Sequence, residues 1–328
     1  MAIMQAVRFH SYGGPEVLAL EEIPLPETGS GEVLIRVHAA GVNPLDWKIR
    51  DGHVRAWLKH RLPLIPGWDV SGVVAAVASD VTSFKTGDEV YGMLNFLRDG
   101  AYAEYVATPT LNLAFKPDSL DHIQAAAVPL TSLTAWQSLF EVADLRSGQT
   151  VLIHAASGGV GHFAVQFARW KGAGVIGTTS AANESFVRGL GADEVIDYRT
   201  VRFEEKVQDV DVVLDTMGGD TQERSWQVIK KGGILVSTLG ISSQEAAATH
   251  GVRGEGIMVH PDPAQLGRIA GLIDEGNVKP AVTTVLPLSE AGRAHELSQA
   301  GHVRGKVVLR VAGLKAQGIS YRTERSDL

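Results

Sequence analysis

Hydrophobic positions follow three rhythms along this 328-residue chain. Up to about residue 123, short β-branched runs such as 33–38 and 70–77 are separated by glycine and proline turns. That is the pattern of a β-rich unit. Residues 86–92 look like a turn entering a strand, and 100–106 alternate as a half-buried strand does. The one stretch here with a helical period is 46–59. The unit is expected to form a partly open barrel.

From about residue 120 to 263 the rhythm changes to helices alternating with apolar strands. A helical region begins at 125–136. Strands are expected at 151–155, 175–179, 194–196, 210–215, 234–238 and 257–260, with Lys231-Gly-Gly233 turning into the fifth. Six strands with helical crossovers imply an open, doubly wound parallel sheet in the order 3-2-1-4-5-6.

Beyond this, residues 264–275 place Leu266, Ile269, Ala270 and Ile273 on one helical face, and Gly276-Asn277 ends that helix. Residues 278–288 read as extended. Ser289 is the expected N-cap of a helix over 290–299. Residues 305–311 form a last strand, expected to return to the first unit. The division is therefore 1–123 with 264–328 as a discontinuous unit, and 124–263 as a second. Residues 315–328 are polar and expected to fray.

Composition narrows the function. There are no cysteines, which excludes disulfides and thiolate metal sites. The net charge of −7 argues against a nucleic-acid or anionic-membrane partner. No run approaches a transmembrane span, and the N-terminus lacks a signal pattern, so a cytoplasmic location is expected. The eleven histidines show no ligand spacing of the HExxH kind.

The stretch that carries chemistry is 151–161, a buried strand followed by a glycine turn, leading into a helix with Phe163, Phe167 and Trp170 in step. Strand, glycine turn and helix seat a dinucleotide pyrophosphate on a helix N-terminus. The fingerprint positions are Ala156, Gly158 and Gly161. Gly158 keeps the backbone bare, and Gly161 lets the helix pack on the strand. The second strand ends in Ser180, where an NAD-binding unit carries Asp or Glu. With no carboxylate to repel a 2′-phosphate, NADPH is the expected cofactor. Arg188, Tyr198 and Arg199 are further candidates near that phosphate.

These motifs in this order resemble the medium-chain dehydrogenase/reductase superfamily, and most closely its zinc-independent quinone oxidoreductase branch. The carrying stretches are 40–48, 66–72, 100–105, 129–136, 156–161 and 305–309. The resemblance implies a Rossmann-type parallel sheet plus a GroES-like, mostly β domain. It puts Asn43, Trp68 and Leu130 where zinc-dependent relatives carry metal ligands, and Asp69 where their nearby glutamate stands. Indole and isobutyl groups cannot ligate zinc. No metal is expected.

An acceptor easier than a simple carbonyl is then needed. Hydride addition to an α,β-unsaturated carbonyl puts charge on an enolate oxygen, which neutral hydrogen-bond donors can stabilise. The resemblance likewise implies NADPH-dependent reduction of enones, enals or quinones. Asn43, Asp46 and Lys48 are the expected catalytic groups, with Asp46 also readable as a helix N-cap and Lys48 as a solvent-facing residue. Trp68 and Tyr102 would form an apolar wall. By the resemblance, Thr134 faces the nicotinamide and Ser157, Gly158, Gly159 and Val160 form the phosphate turn. Ser180, Asn183 and Tyr198 surround the 2′-phosphate, Leu239, Gly240 and Ile241 lie by the nicotinamide ribose, and Lys306 sits close to the cleft. Asp215 is expected to cap a turn. Substrate loops are expected at 51–64 and 93–99. Alternatives are a narrower ene-reductase, such as a 2-haloacrylate reductase, and a catalytically silent NADPH-binding protein. A zinc alcohol dehydrogenase is a third, disfavoured by the lost ligands. Pairing of the sixth strand's edge would make a homodimer.

Overall fold

The structure, a computed structural model, describes residues 2–311; the polar stretch 315–328 lies outside them. The chain opens with an antiparallel hairpin of β1 (Ile3–Arg8) and β2 (Ala19–Pro24). The spine of the first sheet is β3 (Glu32–Val42), which is buried along nearly its whole length. Helix α1 (Pro44–Arg50) follows it directly, then β4 (Asp69–Val77), β5 (Glu89–Met93), β6 (Tyr105–Pro109) and β7 (Leu113–Phe115). Strands β4 and β6 pair antiparallel with β3, β5 pairs antiparallel with β4, and β7 with β5. Of the helical stretch expected at 46–59, only α1 forms; Gly52, at φ +79°, lies just past its end.

Two short helices, α2 (His122–Ala126) and α3 (Pro129–Trp136), lead into the second sheet. Its strands and crossovers alternate as β8 (Thr150–Ile153), α4 (Gly159–Lys171), β9 (Gly174–Thr179), α5 (Glu184–Gly189), β10 (Glu194–Asp197), β11 (Val210–Asp215), α6 (Gly219–Ser225), β12 (Ile229–Ser237), α7 (Gln244–His250) and β13 (Arg253–Gly256). The strands lie parallel in the order β10-β9-β8-β11-β12-β13, which is the expected 3-2-1-4-5-6. The central strands are apolar because helices cover both faces: β11 is buried at every residue. On α4, Phe163, Ala164, Phe167 and Ala168 are buried in the core, while Trp170 of the expected stripe is 45% exposed.

Three expectations need correction. The sixth strand is Arg253–Gly256, not 257–260; Ile257 donates one last bond to Ser237 O (2.9 Å) and the ladder stops. This strand is polar because it is an edge, and only Gly254 is buried, against Trp226 and Ile241. The Lys231-Gly-Gly233 turn is instead a bulge within β12, where Gly232 takes φ +80°. Ser289 is no N-cap: it sits in a 3-10 turn, and the helix begins after Glu290.

After β13 come α8 (Pro263–Asp274), β14 (Val282–Pro287), α9 (Ala291–Gln299) and β15 (Lys306–Arg310). Strand β15 pairs antiparallel with the far half of β3, and β14 lies parallel outside it. This return puts Lys306 opposite the end of β3, beside α1. Helix α8 packs with Leu266, Ile269, Leu272 and Ile273 into the same core as α3 and α4. Among the described residues, no helix is long and apolar enough to cross a membrane.

Candidate active site

The strand β8 delivers a turn whose backbone is held tightly. Ala155 adopts φ +49°, a left-handed conformation unusual for alanine. Its carbonyl faces Gly161, where an added Cβ would come within 2.2 Å of Ala155 O; that glycine is what lets α4 sit down on the turn. Gly158 is the helix N-cap and supplies no side chain, so the first N–H groups of α4 have no side-chain acceptor. A Cβ on Gly158 would find only Ala155 O, at 3.2 Å. His162 ties the turn down: its Nδ1 lies 2.9 Å from Gly158 O, and its Nε2 accepts from Ala281 N (3.3 Å). Burial holds this ring neutral, lowering its pKa to about 4, which suits a donor at Nδ1 and an acceptor at Nε2.

A cleft of about 540 Å³ opens beside this turn, a size fitted to a small-molecule ligand. Ser157, Gly158, Ser180, Asn183 and Tyr198 all line it, together with Arg199, Arg202 and Arg224. Ser157 Oγ accepts from Thr179 Oγ1 (2.8 Å) and Asn183 Nδ2 (3.4 Å), and the same amide reaches Ser180 Oγ (3.4 Å). The arginines are not equivalent. Arg202 pairs with Glu204 and Glu205, and Arg224 with Glu204 and Asp220. Arg199 has its guanidinium 5.8 Å from the Tyr198 ring centre and no ion pair among the described residues. Of the other sequence candidates, Arg188 is turned to Glu184 on its own helix.

The second constellation lies where β3, α1, β4, α3 and β15 meet. Asn43 is fully buried and closes the first turn of α1: its N–H donates to Asp46 Oδ2 (2.8 Å) in a capping box. So Asp46 is the third helical residue of that box, not the N-cap. Asn43 Nδ2 donates to Asp69 Oδ2 (2.8 Å), and Asn43 Oδ1 accepts from Lys306 Nζ (2.5 Å). Lys306 also donates to Val42 O (2.8 Å) and approaches Asp69 Oδ2 (3.3 Å). Asp69 Oδ1 accepts from Leu130 N (2.6 Å) at the start of α3, and Tyr102 OH donates to Asp46 Oδ2 (3.0 Å). Burial pushes the Asp46 carboxyl up to about 7, against the pull of its hydrogen bonds and of Lys306. The same burial, with Asp46 beside it, raises the Tyr102 hydroxyl far above its ordinary value.

The two constellations touch. Gly305 N donates to Ser157 O (2.8 Å), and a Cβ on Gly159 would lie 3.1 Å from Thr131 Cγ2 and 3.3 Å from Lys306 Cδ. The expected residues thus fall into groups. Asn43 and Asp46 join Lys306 in one network, and Ser157, Gly158, Ser180, Asn183 and Tyr198 share one cleft; Gly159 and Val160 begin α4. Lys306 has all three of its N–H donors directed inside the protein, so its contact with the turn is through its methylenes. Lys48 stands apart on α1, its ammonium 5.7 Å from the Trp47 ring centre and its pKa lowered by partial burial. Thr134 is turned back on its own helix, donating to Leu130 O (2.7 Å). Leu239 is half exposed, Gly240 takes φ +82°, and Ile241 packs on Gly254, all just past the C-terminal end of β12. Trp68 and Tyr102 are fully buried, Trp68 donating to Arg98 O (3.1 Å) and stacking edge-on with Phe96. Asp215 closes the turn after β11, accepting from Met217 N (2.8 Å) and Gly218 N (2.9 Å).

Known proteins share this fold. Residues 29–118 match the alcohol dehydrogenase GroES-like domain family, and residues 190–309 match a family described as zinc-binding dehydrogenase. A chloroplast envelope quinone oxidoreductase homolog of Arabidopsis thaliana is 35% identical over 340 residues, covering 94% of this chain and 98% of its own. The chain belongs to the medium-chain dehydrogenase/reductase superfamily, in its quinone oxidoreductase branch. A mitochondrial NAD(P)H oxidoreductase of Mus musculus is 33% identical, covering 94% of this chain and 89% of that one. The solved structure of a quinone oxidoreductase from Coxiella burnetii superposes with a TM-score of 0.89 at 38% identity, covering 94% of this chain and all of that one. The chain is thus an NAD(P)H-dependent oxidoreductase with a GroES-like unit beside its Rossmann-type sheet.

Two groups that this superfamily brings to mind fare differently. A dinucleotide fits: an uncapped helix N-terminus, a bare turn and hydroxyl, amide and guanidinium donors line one cleft. Zinc does not. Asn43 has both ends of its amide bonded inside the protein, Trp68 has no donor pair to give, Leu130 contributes only a backbone N–H, and the Lys306 ammonium occupies the acceptors that remain. The sequence reading missed Arg202, Arg224 and the role of Asp69 as a hub. Arg202 comes from the loop after β10 and Arg224 from α6, and the two converge only in the folded sheet. Asp69 is 26 residues from Asn43 and 237 from Lys306, and no local pattern marks such a junction.

Proposed function

We propose that this member of the family is a zinc-independent, NADPH-dependent reductase of quinones or of the C=C bond of α,β-unsaturated carbonyls. The observation that carries this reading is the buried Asn43–Asp69–Lys306 junction. It fills the metal position with an amide and an ion pair, and leaves one amide proton of Asn43 uncommitted. NADPH, when bound, supplies a hydride. The chain's own work is to hold that cofactor and to receive the charge that develops on the acceptor's oxygen. Ser157, Gly158, Gly159 and Val160 would hold the pyrophosphate, using the free N–H groups of α4. Ser180, Asn183, Tyr198 and the unpaired Arg199 would read the 2′-phosphate. Thr134, Leu239, Gly240 and Ile241 would frame the nicotinamide end. The free amide proton of Asn43 would donate to the developing enolate or hydroquinone oxygen, an arrangement suited to stabilising delocalised charge without a Lewis acid. Asp46 holds Asn43 through the capping box. Lys48, half-buried on α1, would guide substrate or return a proton.

For the chain's organisation, we propose residues 1–123 with 264 onward as the catalytic unit and 124–263 as the cofactor unit, α8 packing back onto the cofactor unit's core. The exposed edge of β13 is a natural seam for a two-fold homodimer.

The test is initial-rate oxidation of NADPH against NADH, with 1,4-benzoquinone, 9,10-phenanthrenequinone, 2-cyclohexenone and an alkenal as acceptors. Turnover that favours NADPH supports the reading, and the better acceptor class separates quinone from enone. Tight NADPH binding with no turnover on any acceptor would point instead to a silent binding protein.

A further inference from the structure

We infer that Lys306 is a positioning residue that does for Asn43 what a metal would otherwise do at this place in the fold. The inference rests on the proposed role of Asn43 as the donor to the acceptor's oxygen. A lysine ammonium has three N–H donors and no acceptor. Here all three are satisfied within the protein, by Val42 O at 2.8 Å, Asn43 Oδ1 at 2.5 Å and Asp69 Oδ2 at 3.3 Å. The side chain is 3% exposed and that of Asp69 is fully buried. Such a lysine cannot also bind cofactor phosphate or substrate through its charge. It fixes which end of the Asn43 amide faces inward. The oxygen is drawn to the cation, so the nitrogen is left to donate, one proton to Asp69 and a second that has no partner among the described residues. An amide polarised at its oxygen by a buried positive charge is also a stronger N–H donor.

The lysine is placed to couple this to cofactor binding. Its neighbour Gly305, at φ +64°, donates to Ser157 O in the phosphate turn, and an added Cβ there would strike Ala281 O at 2.2 Å. Its own methylenes lie under Gly159. The backbone that carries Lys306 is thus braced on the turn that holds the dinucleotide, while its ammonium aims the amide. Asp69 completes the junction by anchoring the start of α3 through Leu130 N.

The experiment is a double-mutant cycle on the full chain. Lys306→Met alone leaves the buried Asp69 charge without its partner and can cost the fold, so Asp69→Asn/Lys306→Met, which removes both charges, is made beside it. Lys306→Arg tests whether the charge alone suffices. For each, NADPH affinity is read by fluorescence titration and kcat with the best acceptor by stopped flow. The expected result for the folded double variant is kcat lower by roughly 10- to 100-fold, the range for residues that orient a reactive group, with NADPH affinity changed less than threefold. Lys306→Arg should recover part of the loss. Adding Asn43→Ala to the double variant should lower kcat no further, because both changes disable one donor. An unchanged kcat in the folded double variant would overturn the inference, as would a loss of NADPH affinity as large as the loss of kcat. If Asn43→Ala alone leaves kcat intact, it is the donor role of Asn43 that fails, and the two failures are told apart.

Discussion

Residue by residue, the site turns on buried polar groups that are almost fully satisfied. Asn43 is the centre: its N–H, its Nδ2 and its Oδ1 each have a partner within 2.8 Å. Replacing it with alanine removes the proposed oxyanion donor, and kcat should fall by about 10²-fold, with NADPH affinity unchanged in a fluorescence titration. Asp46 offers a separate check. Its carboxyl holds a proton up to about 7 in the folded protein, against an ordinary 3.8. The unfolded chain loses that proton first, so this group opposes folding progressively as pH rises from about 4 to 7, and by a constant amount above. Asp46→Asn should therefore gain in melting temperature relative to the parent across that window and level off beyond it. A difference that is flat with pH would mean that Asp46 ionises normally.

At the scale of the element, the glycine turn shows how two glycines a few residues apart do different work. Gly161 is a packing position, because a Cβ there meets the backbone at Ala155 O and Ala156 Cα. Gly158 is open, with a single neighbour at 3.2 Å. Gly161→Ala should lower the melting temperature by several degrees, since the helix must shift off the strand. Gly158→Ala should fold with little change and instead weaken NADPH at least tenfold in a titration, the methyl group standing where backbone meets phosphate. The strand, turn and helix around these glycines were legible in the sequence because each is a local, strongly periodic run. The polar edge strand β13 was not, since Arg-Gly-Glu-Gly carries no apolar alternation and pairs only because β12 is beside it. The Asn43–Asp69–Lys306 junction was legible only in part: the residue types suggested a lost metal site, but sequence alone could not tell that a lysine from the last strand fills it.

At the scale of the whole molecule, buried histidines set the acid limit of the fold. His154 and His162 are pushed down to about 4 and His295 to about 3, each mainly by burial. The unfolded chain takes up these protons from about pH 6.5 downward while the folded chain refuses them. The stability they represent is present above 6.5 and is lost as pH falls toward 4, by up to about 1.4 kcal/mol per pH unit for each proton. Asp46 works in the opposite sense over the same window, one group against these three rings and His38, which partial burial likewise pushes down to about 4. The melting temperature should therefore drop steadily between pH 6.5 and 4 in a differential scanning fluorimetry series; a plateau there would contradict the burial of these rings. The proposed seam along β13 predicts a dimer by light scattering after size exclusion, and a monomer when proline replaces Gly256, whose N–H points away from β12.

The most direct test of metal-free reduction is the rate of the chain's best NADPH-dependent reaction after exhaustive dialysis against a chelator, with the metal content of the dialysed protein measured alongside. The ammonium and amide at Lys306 and Asn43 predict an unchanged kcat and no stoichiometric metal. A kcat that collapses on dialysis and returns on addition of zinc would contradict it.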